Sequence, residues 1–149
     1  MTIKADALFT SNTCEWETPQ NFFDALNEEF HFGIDVCATP ENAKCNLFFT
    51  LQDDGLKQDW SGHGTVWCNP PYGKTIRLWV QKASETAKEG TTVVMLIHAR
   101  TDTRWFHDYI YQKPNVEIRF VKGRLKFGGS NNSAPFPSMV AIFRGDNKS

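Results

Sequence analysis

The chain has 149 residues, of which 40% are hydrophobic and 22% charged. That composition is globular, gives room for one domain of ordinary size, and excludes a disordered or collagen-like chain. Lys plus Arg number 16 against 17 Asp plus Glu, a formal net charge of −1, which excludes a uniformly basic nucleic-acid coat. The balance is uneven, however. Residues 1–97 carry 7 basic and 13 acidic side chains, net −6, whereas residues 98–149 carry 9 basic and 4 acidic, net +5. Such asymmetry points to a polyanion-binding surface on one side.

No apolar run approaches the roughly 20 residues that span a bilayer, and the N-terminus lacks the apolar stretch of a secretory signal. A soluble, cytoplasmic protein with no membrane partner is expected. Cys14, Cys37, Cys45 and Cys68 contain no Cys-x-x-Cys pair, and His31, His63, His98 and His107 show no His-x-x-x-His spacing. Reduced thiols and no metal site are expected.

In chain order, residues 1–15 read as a loose tail, 16–144 as a single domain and 145–149 as a second tail. Thr18-Pro19 opens a helix, with Thr18 as its cap, Pro19 at its first position, and Phe22, Phe23, Leu26 and Phe30 as its apolar stripe. Phe32 to Ala38 reads as a buried strand, broken by Thr39-Pro40-Glu41-Asn42. A polar stretch from Gln52 to Asp59 leads to Trp60, and Ser61 to Gly64 is a turn before a short strand, Thr65 to Cys68. Asn69-Pro70-Pro71-Tyr72-Gly73 is a loop, because two prolines cannot continue a ladder. Lys74 to Lys88 is helical, with Ile76, Trp79, Val80, Ala83 and Ala87 on one face and Gly90 ending it. Thr91 to His98 is a near-continuous apolar run, as in a central parallel strand. Asp102 to Gln112 is a second helix, with Trp105, Phe106, Tyr109 and Ile110 inward. Val116 to Phe127 and Ser138 to Phe143 are two more strands, joined by the loop 128–137.

This alternation implies a parallel sheet with crossover helices and a final antiparallel pair at its edge. Ligands of such sheets sit beyond the carboxyl ends of the strands. The loops after Ala38 and Cys68 occupy that place.

Asn69-Pro70-Pro71-Tyr72, directly after an apolar strand and before a helix, is the sharpest signal in the sequence. It is the catalytic motif of amino-methyltransferases that use S-adenosylmethionine. The wider chain resembles the phage-type, Dam-like DNA adenine-N6 methyltransferase family. The matching stretches are Thr18-Pro19, FGIDVCA (32–38) with ENAKC (41–45), DDGL (53–56) with Trp60, VWCNPPYG (66–73), HARTDTRWFHDYI (98–110), KGRLKF (122–127) and APFPSM (134–139). Together they span most of residues 16–143.

The resemblance implies an α/β, abbreviated Rossmann-like fold of the S-adenosylmethionine-dependent methyltransferases. It also implies methyl transfer to N6 of adenine in double-stranded DNA, with the adenine flipped out, and a phage- or prophage-encoded orphan enzyme at work in a bacterial cell or infected host. A homodimer would suit a chain with no room for a separate recognition domain.

The residue types suit that chemistry. An adenine amino group is a poor nucleophile because its lone pair is delocalised into the ring. The Asn69 side-chain oxygen and the Pro70 carbonyl can accept its two hydrogens, drawing the nitrogen toward sp³. Pro70 and Pro71 freeze the loop, so the acceptors need not reorganise. Tyr72 would stack on the flipped base. These four residues are the expected catalytic set.

The expected cofactor set is Thr18, Pro19, Asp35, Cys37, Ala38, Asp54, Leu56 and Asn69. Asp35 at a strand end suits the ribose hydroxyls or the ammonium of the donor. Thr18-Pro19 matches a segment beside the methionine end in related enzymes, and equally fits a plain helix cap. Asp54 and Leu56 resemble a stretch beside the donor's adenine, and equally fit a polar turn. The sequence departs from larger methyltransferases in having no Gly-x-Gly after Asp35; Cys37-Ala38-Thr39-Pro40 stands there instead.

Arg100, Arg104, Lys122, Arg124 and Lys126 are the expected DNA-binding residues, with Arg119 in the same basic cluster. Lys122, Arg124 and Lys126 alternate, as on one face of a strand, where they would meet phosphates or else guard an exposed edge. Gly128 to Ser133 has the composition of a loop that enters a groove or closes over a base. The competing readings are another Asn-Pro-Pro-Tyr enzyme, acting on a protein glutamine or an RNA guanine, and a catalytically inactive DNA-binding or anti-restriction module.

Overall fold

A computed structural model describes residues 17–127 and 136–145. Cys14, both expected tails except Gly145, and the loop at 128–133 lie outside those residues. Five strands form one sheet: β1 (Phe32–Asp35), β2 (Thr65–Cys68), β3 (Val93–His98), β4 (Val116–Phe120) and β5 (Ser138–Phe143), in the order β1-β2-β3-β5-β4. β1, β2 and β3 pair in parallel, and β5 runs antiparallel between β3 and β4. The sheet is therefore mostly parallel in its first half and closes with an antiparallel pair, as the sequence pattern implied.

The helices are α1 (Gln20–Phe30), α2 (Ile76–Lys88) and α3 (Arg104–Tyr109). Alternate residues of β3 leave the sheet on opposite faces. Val93, Met95 and Ile97 join Ile76, Trp79 and Val80 of α2 and Trp105 and Phe106 of α3. Val94 and Leu96 join Phe23 and Leu26 of α1, with Trp67 and Phe127. Three layers result, and the run at 93–97 is apolar throughout because both faces are covered.

The structure redraws several boundaries. The strand expected to reach Phe127 stops at Phe120, because β5 begins only at Ser138 after Pro137 and offers no partner further along. Gly123, with φ +75°, then bends the chain away. Lys122, Arg124 and Lys126 therefore do not share a strand face. The first strand ends at Asp35 rather than Ala38: Val36 N–H still donates to Trp67 O at 3.1 Å, but the chain then turns to the 47–49 segment, with Phe49 N–H donating to Asp35 O at 2.9 Å and Ala38 N–H to Phe49 O at 3.0 Å. Pro19, not Thr18, is the residue preceding the first turn of α1, and no side chain caps that helix. α3 runs only from Arg104 to Tyr109, capped by Thr103 Oγ1, which accepts from Phe106 N–H at 3.4 Å.

Gly33 lies where β1 passes under the turn at 61–64. A Cβ there would sit 1.6 Å from the backbone oxygen of His63. Gly33→Ala is expected to destabilise the fold by about 3 kcal/mol, the upper range for overpacking against backbone. Urea unfolding of the variant beside the parent chain checks this, and an unchanged midpoint would contradict the close approach.

Candidate active site

The parallel strands β1, β2 and β3 end side by side, so Asp35, Asn69 and His98 come to the same edge of the sheet. Ser138 stands opposite His98 in the β3–β5 ladder and joins them from the start of β5.

Asp35 is 2% exposed. Its Oδ1 accepts from Cys37 N–H at 3.2 Å and its Oδ2 from Lys44 N–H at 3.0 Å. Burial lifts its pKa from 3.8 to about 7, against the opposing pull of those two N–H donors and the Lys44 charge. The loop between them is closed by a reciprocal turn: Thr39 N–H donates to Asn42 Oδ1 at 2.7 Å, and Asn42 N–H donates to Thr39 Oγ1 at 3.2 Å.

Asn69 directly follows β2 and is 6% exposed. Its Nδ2 donates to Thr18 Oγ1 at 3.1 Å. Thr18 thus orients the Asn69 amide instead of capping α1. Pro70 and Pro71 are buried. Tyr72 is also buried: its hydroxyl lies 3.2 Å from Leu96 O and 3.3 Å from Asn69 Oδ1. Its ring packs 4.9 Å from His98 and 5.2 Å from Phe136, centre to centre. Burial, then the Arg100 charge, lower the His98 pKa to about 4, so this imidazole is neutral at neutral pH. Among the described residues, His98 Nδ1 and Ser138 Oγ are buried with no hydrogen-bond partner.

One small cavity brings together Thr18, Asp35, Cys37 and Asn69 of the expected cofactor set. Glu17, Asn42, Lys44 and Trp67 complete its lining; none belongs to the expected cofactor set, although Asn42 and Lys44 lie in ENAKC and Trp67 in VWCNPPYG, two of the family-like stretches. Pro19, Ala38, Asp54 and Leu56 are not among the lining residues. Asp54 and Leu56 flank Gly55, which packs so closely beneath Val36 that a Cβ would meet Val36 O at 2.3 Å; Leu56 also packs on the core below α2. Cys37 is disulfide-bonded, which corrects the expectation of reduced thiols at that position; Cys45 and Cys68 are free.

The expected DNA-binding residues Arg100, Arg104, Lys122, Arg124 and Lys126 are all exposed. Arg124 and Lys126 line a surface groove with Pro19, Asn21 and Phe22 at the start of α1, one residue from Thr18. Arg100 and Arg104 follow the end of β3. Arg119 is different. Its guanidinium makes two bonds of 2.7 Å to Glu29 and one of 2.6 Å to Glu117, and Arg144 holds the other Glu117 oxygen at 2.6 Å. Arg119 belongs to an intramolecular ion-pair network.

Comparison with known proteins bears on this arrangement. Residues 7–145 match the family model described as DNA N-6-adenine-methyltransferase (Dam). A DNA N-6-adenine-methyltransferase of Haemophilus phage HP1 is 28% identical, over 86% of this chain and 77% of that protein. A protein of the same description from Escherichia phage T1 is 32% identical, over 88% of this chain. The match spans only 54% of the T1 protein's length.

The raised pKa of Asp35 makes a pH prediction. The folded chain holds a proton that the unfolded chain releases near 3.8, so this group's stabilising contribution is full below that pH and is lost as pH rises to about 7. Across that window, stability is expected to fall by roughly 1.4 kcal/mol per pH unit from this group. Asp35→Asn removes the contribution. Thermal unfolding of both chains from pH 4.5 to 8 is expected to show the parent's advantage shrinking toward neutrality, and a pH-independent gap would refute it.

Proposed function

Because the chain belongs to the DNA N-6-adenine-methyltransferase (Dam) family, we propose that the edge formed by Asp35, Asn69 and His98 is its catalytic site. The protein is an adenine-specific DNA methyltransferase, and S-adenosylmethionine is its methyl donor. The glutamine, guanine and inactive-module readings are not favoured by that membership. No group of side chains suited to a metal occurs among the described residues.

The donor is a cation at its sulfonium and its ammonium. The chemistry of the cavity's lining suits such a group: Asp35, Glu17, Thr18 and Asn69 all contribute to its wall. When bound, S-adenosylmethionine supplies an electrophilic methyl group. The protein's own part is to make the adenine amino group nucleophilic. In this reading the Asn69 Oδ1 and the Pro70 carbonyl accept its two hydrogens, and the Thr18 bond keeps the Asn69 oxygen turned to that task. Rigid prolines hold both acceptors before the base arrives, which lowers the reorganisation needed in the transition state. Tyr72 leaves its contact with Leu96 O and stacks on a base flipped from the duplex. Arg124 and Lys126 meet phosphates beside α1, and Arg100, Arg104 and Lys122 do so beyond β3 and β4.

The observation that carries this reading is the buried Asn69–Thr18 bond, which joins the Asn-Pro-Pro-Tyr loop to the cavity containing Asp35. Incubation of unmethylated duplex DNA with labelled donor, followed by nucleoside analysis, tests it. N6-methyladenine is expected, and Asn69→Ala is expected to slow its formation by about 100- to 1,000-fold, as when one preorganised polar group is removed from an active site. A variant with near-parental turnover would sink the assignment of Asn69.

The cation assignments have a separate test. Removing Arg124 and Lys126 together is expected to lower the slope of log binding constant against log salt by about 2, near one unit for each phosphate left without its cation. Arg119→Ala is expected to leave that slope unchanged, since its guanidinium is held by Glu29 and Glu117. Measurement on a non-target duplex isolates the phosphate contribution.

A further inference from the structure

Lys44 is the charged lining residue of the Asp35 cavity that the reaction described above does not use. Its side chain is only 5% exposed. A buried ammonium is costly unless it is paired. Among the described residues, Nζ donates to the neutral Gln20 Oε1 at 3.0 Å, and the nearest carboxylate oxygen is Glu17 Oε2 at 4.0 Å, on a side chain that is 43% exposed. One of its three N–H donors is thus engaged at hydrogen-bond distance, and by an uncharged group. The backbone N–H of the same residue is fastened to Asp35 Oδ2 at 3.0 Å. The loop therefore fixes a positive side chain and a negative one on the wall of a single cavity.

Opposite charges in one small cavity match a zwitterion better than a simple cation. The amino-acid end of the methyl donor is such a group, with a carboxylate and an ammonium on one carbon. Resting on the reading of this cavity as the donor's site, we propose that Lys44 binds the donor's carboxylate while Asp35 and Glu17 face its ammonium. Lys44 would then select donors that carry an intact amino acid over those that have lost the carboxylate. This role needs no glycine-rich loop, because the side chain supplies the charge that backbone N–H groups would otherwise provide.

Calorimetric titration of the full chain tests the assignment with two probes, S-adenosylmethionine and its decarboxylated analogue. The analogue keeps the ammonium and sulfonium and lacks only the carboxylate. The parent chain is expected to prefer the intact donor by about 30-fold, the worth of one charge-assisted hydrogen bond to a buried group. Lys44→Gln is expected to lose that preference, binding the intact donor about 30-fold more weakly and the analogue within about threefold of the parent. Lys44→Arg retains the preference. Equal affinity of the parent chain for both probes overturns the proposal, and so does a Lys44→Gln variant that weakens both alike, which marks a purely structural role. The comparison of probes on the parent chain needs no variant, so it decides the matter even where a substituted chain fails to fold. A parent chain that binds neither probe overturns the underlying reading of the cavity, and the Lys44 assignment with it.

Discussion

Asp35 is a carboxylate withdrawn from water at the end of β1, and an unpaired buried carboxylate is among the costliest groups a fold can hold. The chain offsets part of that cost with two backbone N–H donors, from Cys37 on one side of the following loop and Lys44 on the other. Satisfying both oxygens forces the loop to curl back over the strand end. That curl carries Lys44 inward and leaves a cavity between the loop, Thr18 and Asn69. The Asn-Pro-Pro-Tyr loop is placed by a long-range bond, between Asn69 and Thr18, 51 residues apart in sequence. None of these three bonds lies within a helix or a strand ladder. The secondary structure brings the strand ends together, and these three polar contacts shape the cavity at that edge.

The same logic explains how a chain of net charge −1 presents a surface to a polyanion. Arg119 and Arg144 come from the basic half of the sequence, yet both face Glu117, and Arg119 also grips Glu29 of α1. Their guanidinium groups also lie over the Phe30 ring, 5.7 and 5.4 Å from its centre. These cations fasten the outer strand β4 and its neighbour to α1. Arg100, Arg104, Lys122, Arg124 and Lys126 are exposed instead, Arg100 with its Nε 3.6 Å from Asp102. Charge is partitioned by place in the fold, and net charge is a poor guide because it sums two separate uses.

Much of the fold is legible in the sequence because hydrophobic period reports burial directly. β2 and β5 run as the pattern implies, since Thr65–Cys68 and Ser138–Phe143 are bounded by turn and proline residues that stop a ladder. β4 is shorter than its pattern suggests because the apolar alternation continues past Phe120, while a strand can extend only as far as its partner does. Thr18 has the local signature of a cap because it stands before Pro, but a buried amide from residue 69 competes successfully for its hydroxyl. Of the site, the Asn-Pro-Pro-Tyr loop and Asp35 are visible as motif and strand end. Lys44 is not visible, because nothing local distinguishes a lysine turned into a cavity from one in solvent. His98 and Ser138 share that obscurity: their pairing depends on β5 entering the sheet beside β3, a register that neither segment encodes alone.

The missing glycine-rich loop is answered in the same terms. Glycines serve such loops by letting backbone N–H groups approach a ligand closely and by permitting tight turns. Here the turn is built from side chains. Thr39 and Asn42 cap one another, Ala43 N–H returns to Thr39 O at 3.0 Å, and Asp35 ties both ends of the loop to the strand. Pro40 within that turn restricts the backbone further. Such a loop is stiff without glycine, and its polar groups are already largely engaged with one another. In the proposed reading, recognition of a charged ligand then falls to side chains on the cavity wall, Lys44 among them, because a loop whose backbone is held this way has few N–H groups left to form a cradle.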